Sequence, residues 1–99
     1  MILRQWRGLA RADRADDYVA HLRAETFPLL ATIPGFISAQ VLKRHVDGGV
    51  EFLIVTQWAS LEAIQRFAGD DAERAVVPET VQSMMIDYDR TVRHYEVIE

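Results

Sequence analysis

Val50–Gly69, VEFLIVTQWASLEAIQRFAG, is the stretch whose reading decides the fold. Its first nine residues, Val50–Trp58, are rich in β-branched and aromatic side chains and read as a strand. Ser60 then serves as a helix N-cap, with Glu62 in the first turn where it favours the positive end of the helix dipole. Leu61, Ile64 and Phe67 or Ala68 recur at helical spacing, and Gly69 is placed to stop the helix. A buried strand therefore feeds directly into an amphipathic helix, and the rest of the chain must supply what pairs with both.

Upstream, Asp47-Gly48-Gly49 forms a tight turn whose glycines supply positive φ angles, so Phe36–Val46 folds back antiparallel onto Val50–Trp58. Before that hairpin, residues 2–9 read as a first strand, and Arg14–Ala31 carries a helical stripe through Tyr18, Leu22, Leu29 and Ile33. Pro28 inside this pattern predicts a kink or distorted turn near Ala24, and Pro34-Gly35 ends the helix. Downstream, Asp70–Val77 reads as loop, and Pro78 opens a short third helix with Val77, Val81, Met84 or Met85 and Tyr88 inside. Arg90–Ile98 reads as the last strand. The order strand-helix-strand-strand-helix-strand predicts an α+β, ferredoxin-like βαββαβ domain spanning 1–99, with a four-stranded antiparallel sheet and helices on one face.

Composition excludes several classes of function. A net charge of −4 across 99 residues, with no charge-rich tail, argues against a nucleic-acid partner. Without cysteine there is no disulfide, thiolate nucleophile or Cys-ligated metal. No apolar run approaches the length of a membrane span, and MILRQWRGLARADR lacks the apolar core of a signal peptide, so a soluble cytoplasmic protein is expected.

Period two divides the hairpin into two faces. Ile37, Ala39, Val41, Lys43, His45, Val50, Phe52, Ile54, Thr56 and Trp58 make the face expected to meet the helices. The reverse face carries Phe36, Leu42, Leu53 and Val55 among Ser38, Gln40, Arg44, Glu51 and Gln57. That is too many large apolar side chains for a solvated face, and no element of the chain is left to cover it. A second copy, sheet facing sheet, is the expected cover, since each buried Val or Leu contributes about 1.5–3 kcal/mol.

Several segments together resemble the antibiotic biosynthesis monooxygenase (ABM) domain family of dimeric α+β barrels. They are Pro34-Gly35-Phe36, Thr56-Gln57-Trp58-Ala59-Ser60 running into Leu61-Glu62-Ala63-Ile64, Phe67-Ala68-Gly69, and the closing Val92-Arg93-His94-Tyr95-Glu96-Val97. The resemblance implies a cofactor-independent monooxygenase acting on a small phenolic or quinol-like aromatic. It equally allows a non-catalytic, dimeric small-molecule-binding protein on the same fold. Its haem-degrading branch carries a strand-one asparagine, then a tryptophan and a histidine on the segment after strand three. This chain has no asparagine, and Phe67 and Val77 fall where the other two would stand.

Among polar candidates His94 stands first as a proton acceptor able to produce an electron-rich phenolate or enolate, the alternative being a hydrogen-bonded strand histidine. Trp58 is a candidate wall for an aromatic ligand and equally a packing anchor. Arg44 and Arg93 could neutralise an anionic substrate or pair with Glu51 and Glu96; Arg44 lies opposite Glu51 if Asp47-Gly48 is the turn. Tyr88 and Tyr95 are candidate hydrogen-bond donors to a ligand, and Met84 and Met85, with Val81, are candidates to line a cavity, with core packing as the alternative for each. No His/Asp/Glu set has metal-ligand spacing, and no cofactor fingerprint occurs, so neither metal nor cofactor is expected.

Overall fold

The structure, a computed structural model, describes residues 1–99. Strand β1 (Ile2–Arg11) is the spine of the sheet. The chain then passes through a short 3₁₀ turn (Ala12–Arg14) into α1 (Ala15–His21), a π-helical turn (Leu22–Thr26) and α2 (Phe27–Ala31). The π turn sits where the sequence predicts distortion. Pro28 has no N–H to give the Ala24 carbonyl, and Phe27 N–H bonds to Leu22 O, five residues back.

Hairpin strands β2 (Phe36–Val46) and β3 (Gly49–Trp58) follow, closed by the two-residue turn Asp47-Gly48 with Gly48 at φ +82°. Helix α3 (Leu61–Ala68) begins at Ser60, whose Oγ accepts from Ala63 N–H, and ends at Gly69, φ +84°. A single turn, α4 (Glu79–Gln82), precedes strands β4 (Met85–Tyr88) and β5 (Arg93–Glu96). The sheet is antiparallel throughout, in the order β2-β3-β1-β4, with β5 also on β1. This is the ferredoxin-like arrangement.

Two local expectations are corrected. The third helix does not continue to Tyr88; Met85–Tyr88 is a strand, pairing with Gly8–Ala10, while β5 pairs with Ile2–Gln5. The fourth position of the sheet is therefore filled by two short strands in series, joined where Asp89 N–H reaches Arg7 O. A ten-residue β1 leaves a long edge of backbone donors and acceptors, and one four-residue strand cannot satisfy it.

The second correction concerns Phe36 and Ile37. A bulge puts both opposite Trp58, so Phe36 turns to the helix side and packs edge-on against Trp58 at 5.3 Å, while Ile37 is exposed. Beyond the bulge the two faces are as predicted, with Ala39↔Thr56 and Val41↔Ile54 on one and Gln40↔Val55 and Leu42↔Leu53 on the other.

The core forms two clusters on the helix side of the sheet. One gathers Tyr18, Leu22, Phe52, Val81, Met84 and Met85; the other gathers Leu30, Trp58, Ala63 and Ile64. The seam between them is the site.

Candidate functional site

Strand register builds the site. On the helix side, Thr56 of β3 is the cross-strand partner of Arg4 of β1, and Arg4 is the partner of His94 of β5. A polar row thus crosses three strands. It is flanked by an apolar row, Trp6 beside Ile54, and another, Ile2 beside Trp58. Trp6 lies along the sheet because Gly8 leaves room: a Cβ there would collide with the indole.

Above this row is a cavity of about 80 Å³, with ten of its fourteen lining residues hydrophobic. Arg4, Trp6, Ile54 and Thr56 form the floor, and Tyr18, Leu22, Thr26 and Leu30 form one wall. Phe67 of α3 and Val76, Val77 and Pro78 of the following loop form the opposite wall. Those same four residues also line an outer recess of about 630 Å³ that includes Arg74, Tyr88 and Arg90, so they are the partition between the two spaces.

Arg4 is 5 % exposed. Its Nη1 donates to Ala72 O and to His94 Nε2 (3.1 Å), its Nη2 donates to Arg74 O (2.8 Å), and its guanidinium stacks 5.7 Å from the Phe67 ring. None of the three ion pairs in the protein includes it. Burial lowers its pKa to about 10. Because a guanidinium only donates, His94 Nε2 is an acceptor and the imidazole proton sits on Nδ1. Burial, and next the Arg4 charge, pull the His94 pKa below its usual value against the opposing field of Glu73. Thr56 Oγ1 accepts from Trp58 Nε1 at 2.8 Å, leaving its own proton free for a partner in the cavity.

The sequence-predicted residues are scattered around this site. His94 stands behind Arg4 and does not line the cavity. Trp58 is fully enclosed one layer beneath, stacked 5.9 Å from Phe67, and anchors the core. Met84 packs in the first core cluster, outside the cavity. Tyr88 lines the outer recess under Arg90, whose guanidinium lies 5.2 Å from its ring. Arg93, the partner of Gln5, is exposed on the far side of the sheet. Arg44 is on the far side too, sharing Glu51 with Arg7; both Nε atoms donate to the carboxylate at 2.8 Å. These hydrogen bonds, Arg44 first, hold the Glu51 pKa below the usual carboxylate value.

The residues that do meet, Arg4, Trp6, Thr56 and Tyr18, were not among the predicted ones. Arg4 nonetheless left a signal, as the one charged residue at the even positions of β1, among Ile2, Trp6, Gly8 and Ala10.

The protein is an α+β, ferredoxin-like domain with a small apolar cavity between sheet and helices and a polar row on its floor. The chain belongs to the antibiotic biosynthesis monooxygenase family, whose profile matches residues 1–79. A Bacillus cereus protein, itself assigned only provisionally as an antibiotic biosynthesis monooxygenase, superposes with a TM-score of 0.71 at 20% identity. That match covers 100% of this chain and 93% of the other. The haem degrader MhuD of Mycobacterium tuberculosis, with two haems in its active site, superposes at 0.61 and 21% identity, covering 100% and 97%. A variant of MhuD with two manganese protoporphyrins per active site gives 0.63 and 22%, covering 100% and 96%. No curated relative matches by sequence.

The residues of this cavity do not fit a haem. None of those lining it is a histidine, cysteine or methionine, Val77 stands in the wall, and burial holds the phenol of the lone lining tyrosine, Tyr18, away from the phenolate that would bind iron. The one nearby imidazole has its Nε2 occupied by Arg4. The volume is also several-fold below the ~300–1,000 Å³ of sites for drug-sized ligands.

Proposed function

We propose that the protein is a cofactor-independent monooxygenase of a small phenolic or quinol-like aromatic, bound between the sheet and the helices. The observation that carries this reading is the buried cation Arg4 on the floor of an otherwise apolar cavity. Such a site favours the ionised form of a phenol and surrounds its ring with Trp6, Phe67 and Ile54.

The chemistry needs no outside reductant. A phenolate passes one electron to dioxygen, and the phenoxyl radical and superoxide combine at the para carbon. The hydroperoxide then loses the proton on that carbon as its O–O bond breaks. One oxygen stays as the new carbonyl and the other leaves in water, so a phenol and dioxygen give a quinone and water. His94, behind Arg4, serves in this reading to hold the guanidinium in place.

The active form is a homodimer joined through the far face of the sheet. Leu42 and Tyr95 there are 47 % and 49 % exposed, beside half-buried Leu3, Leu53 and Val55, and no layer of this chain covers them. A contiguous apolar sheet face of this kind calls for a partner, and an identical face is self-complementary about a twofold axis.

Dioxygen uptake by chelator-treated protein, with single-ring phenols, hydroquinones and an anthrone as substrates, tests the activity. The expected result is one dioxygen consumed per phenol oxidised. No uptake at concentrations where tryptophan fluorescence shows the phenol bound would leave the second reading, a non-catalytic binding protein. One observation favours that second reading: the cavity contains no free general base, because His94 Nε2 is engaged.

A further inference from the structure

A guanidinium has five N–H donors. In Arg4 three are used, on Ala72 O, Arg74 O and His94 Nε2. Nε–H and one Nη2 hydrogen have no protein acceptor. No side-chain nitrogen in the protein is both buried and unpartnered, so Nε keeps some accessible surface, and Arg4 is among the residues that line the cavity. The residue is buried, with no carboxylate paired to it. Buried charges are ordinarily neutralised by a counter-charge, and carbonyl dipoles do that only in part. The two sheet arginines that do have a carboxylate partner, Arg7 and Arg44, are more exposed and share Glu51. Arg4 is the only buried arginine, and it has no ion-pair partner.

The approach to the site has the same sign. The outer recess is lined by Arg74 and Arg90 and by no acidic residue, in a protein whose net charge is −4. An anion arriving through this recess meets two cations and then, past the partition of Phe67 and Val76–Pro78, a third. Size narrows the ligand further. At about 80 Å³ the inner cavity is roughly half an engineered apolar cavity that binds benzene. A single ring is therefore the upper limit on what it holds, lying against the partition.

We propose that Arg4 is the substrate-binding residue of this cavity and that its ligand is a single-ring aromatic oxyanion, held as the phenolate by Arg4 and the Thr56 hydroxyl. This rests on reading the cavity as a binding site, and it deepens that reading in two ways. It limits the substrate to one ring, and it makes the ionised oxygen of the ligand the counter-ion that the fold omits. The ligand is then bound already deprotonated, which is why the cavity can do without a protein base.

Absorbance titration of 4-nitrophenol, whose phenolate is yellow, reads this directly. With saturating wild-type protein the bound phenol is expected to ionise at least one pH unit below free 4-nitrophenol, a tenfold preference for phenolate over phenol. In Arg4→Gln that shift should fall to under about 0.3 unit, a twofold preference, while Arg23→Gln, which removes one exposed positive charge elsewhere, keeps it. Arg4→Lys keeps the charge without the planar fork and should retain part of the shift. Binding without an acid-ward shift, or a full shift in Arg4→Gln, overturns the proposal while leaving the cavity a binding site. If neither 4-nitrophenol nor phenol binds at millimolar concentration, the binding-site reading falls and the proposal with it. The wild-type titration decides the matter even if Arg4→Gln does not fold.

Discussion

The hydrogen bond between Trp58 Nε1 and Thr56 Oγ1 joins the core anchor to the cavity floor, and Thr56→Val removes it with almost no change of shape. Trp58 is fully buried and Thr56 nearly so, and the bond is 2.8 Å long. Valine keeps the β-branch and the volume, so the change isolates the hydroxyl. An indole N–H can only donate, and in the variant it would be left buried without an acceptor. That loss costs about 1–3 kcal/mol. For a domain of this size each kcal/mol lowers Tm by roughly 4–8 °C. Urea titration at one fixed protein concentration should show the midpoint fall with an unchanged slope.

The double-mutant cycle with Trp58→Phe is the decisive measurement. Phenylalanine has no N–H to orphan, and the Thr56 hydroxyl faces the cavity, where water can satisfy it. In the Trp58→Phe background Thr56→Val should therefore cost under about 0.5 kcal/mol, because both partners are then apolar. An equal cost in both backgrounds would refute the argument and place the value of Thr56 in something other than this bond.

Three further outcomes are expected. The His94 pKa is depressed by burial and by Arg4, so the unfolded state protonates first; its contribution is whole above about pH 6.5 and is lost as pH falls through the folded value. Urea midpoints at pH 7.5 and 5 should thus diverge more in wild type than in His94→Gln, and an equal midpoint shift in the two proteins would refute this. Gly35→Ala should cost about 2 kcal/mol or more, since φ is +93° and the new Cβ would lie 2.6 Å from Ala63 Cβ. Gly48→Ala, at φ +82° but in open space, should cost about 1–2 kcal/mol, and equal thermal shifts for the two would count against the packing argument. Light scattering should give a dimer mass for the wild type, as proposed, and a monomer mass for Leu53→Lys on the far sheet face; a monomeric wild type would refute the dimer, and a dimeric variant would move its interface elsewhere.

Much of the fold was legible because its signals are local. The Ser60 cap, the Gly69 stop, the Asp47-Gly48 turn and the distortion before Pro28 each depend on neighbours within about five residues. The bulge at Phe36-Ile37 was not legible, because alternation carries no mark of an extra residue until the partner strand is in place. Met85–Tyr88 carries no strand signal of its own for a related reason. A four-residue segment such as Met-Ile-Asp-Tyr is too short to show a period of its own, and the open edge of β1 decides that it is a strand.

The candidate site divides along the same line. His94 was visible as a residue type with chemistry, and Trp58 as a large aromatic at a junction, yet neither lines the cavity. Val50–Gly69 by itself determined the strand-to-helix unit, the alternation of its faces and the α+β class, through periodicity and capping that any copy of this stretch would carry. Only the tertiary structure decided that Thr56, Arg4 and His94 share one row. Those residues are separated by 52 and 90 positions in the chain, and what aligns them is the ladder of backbone hydrogen bonds, whose register is set by packing across the sheet rather than along it.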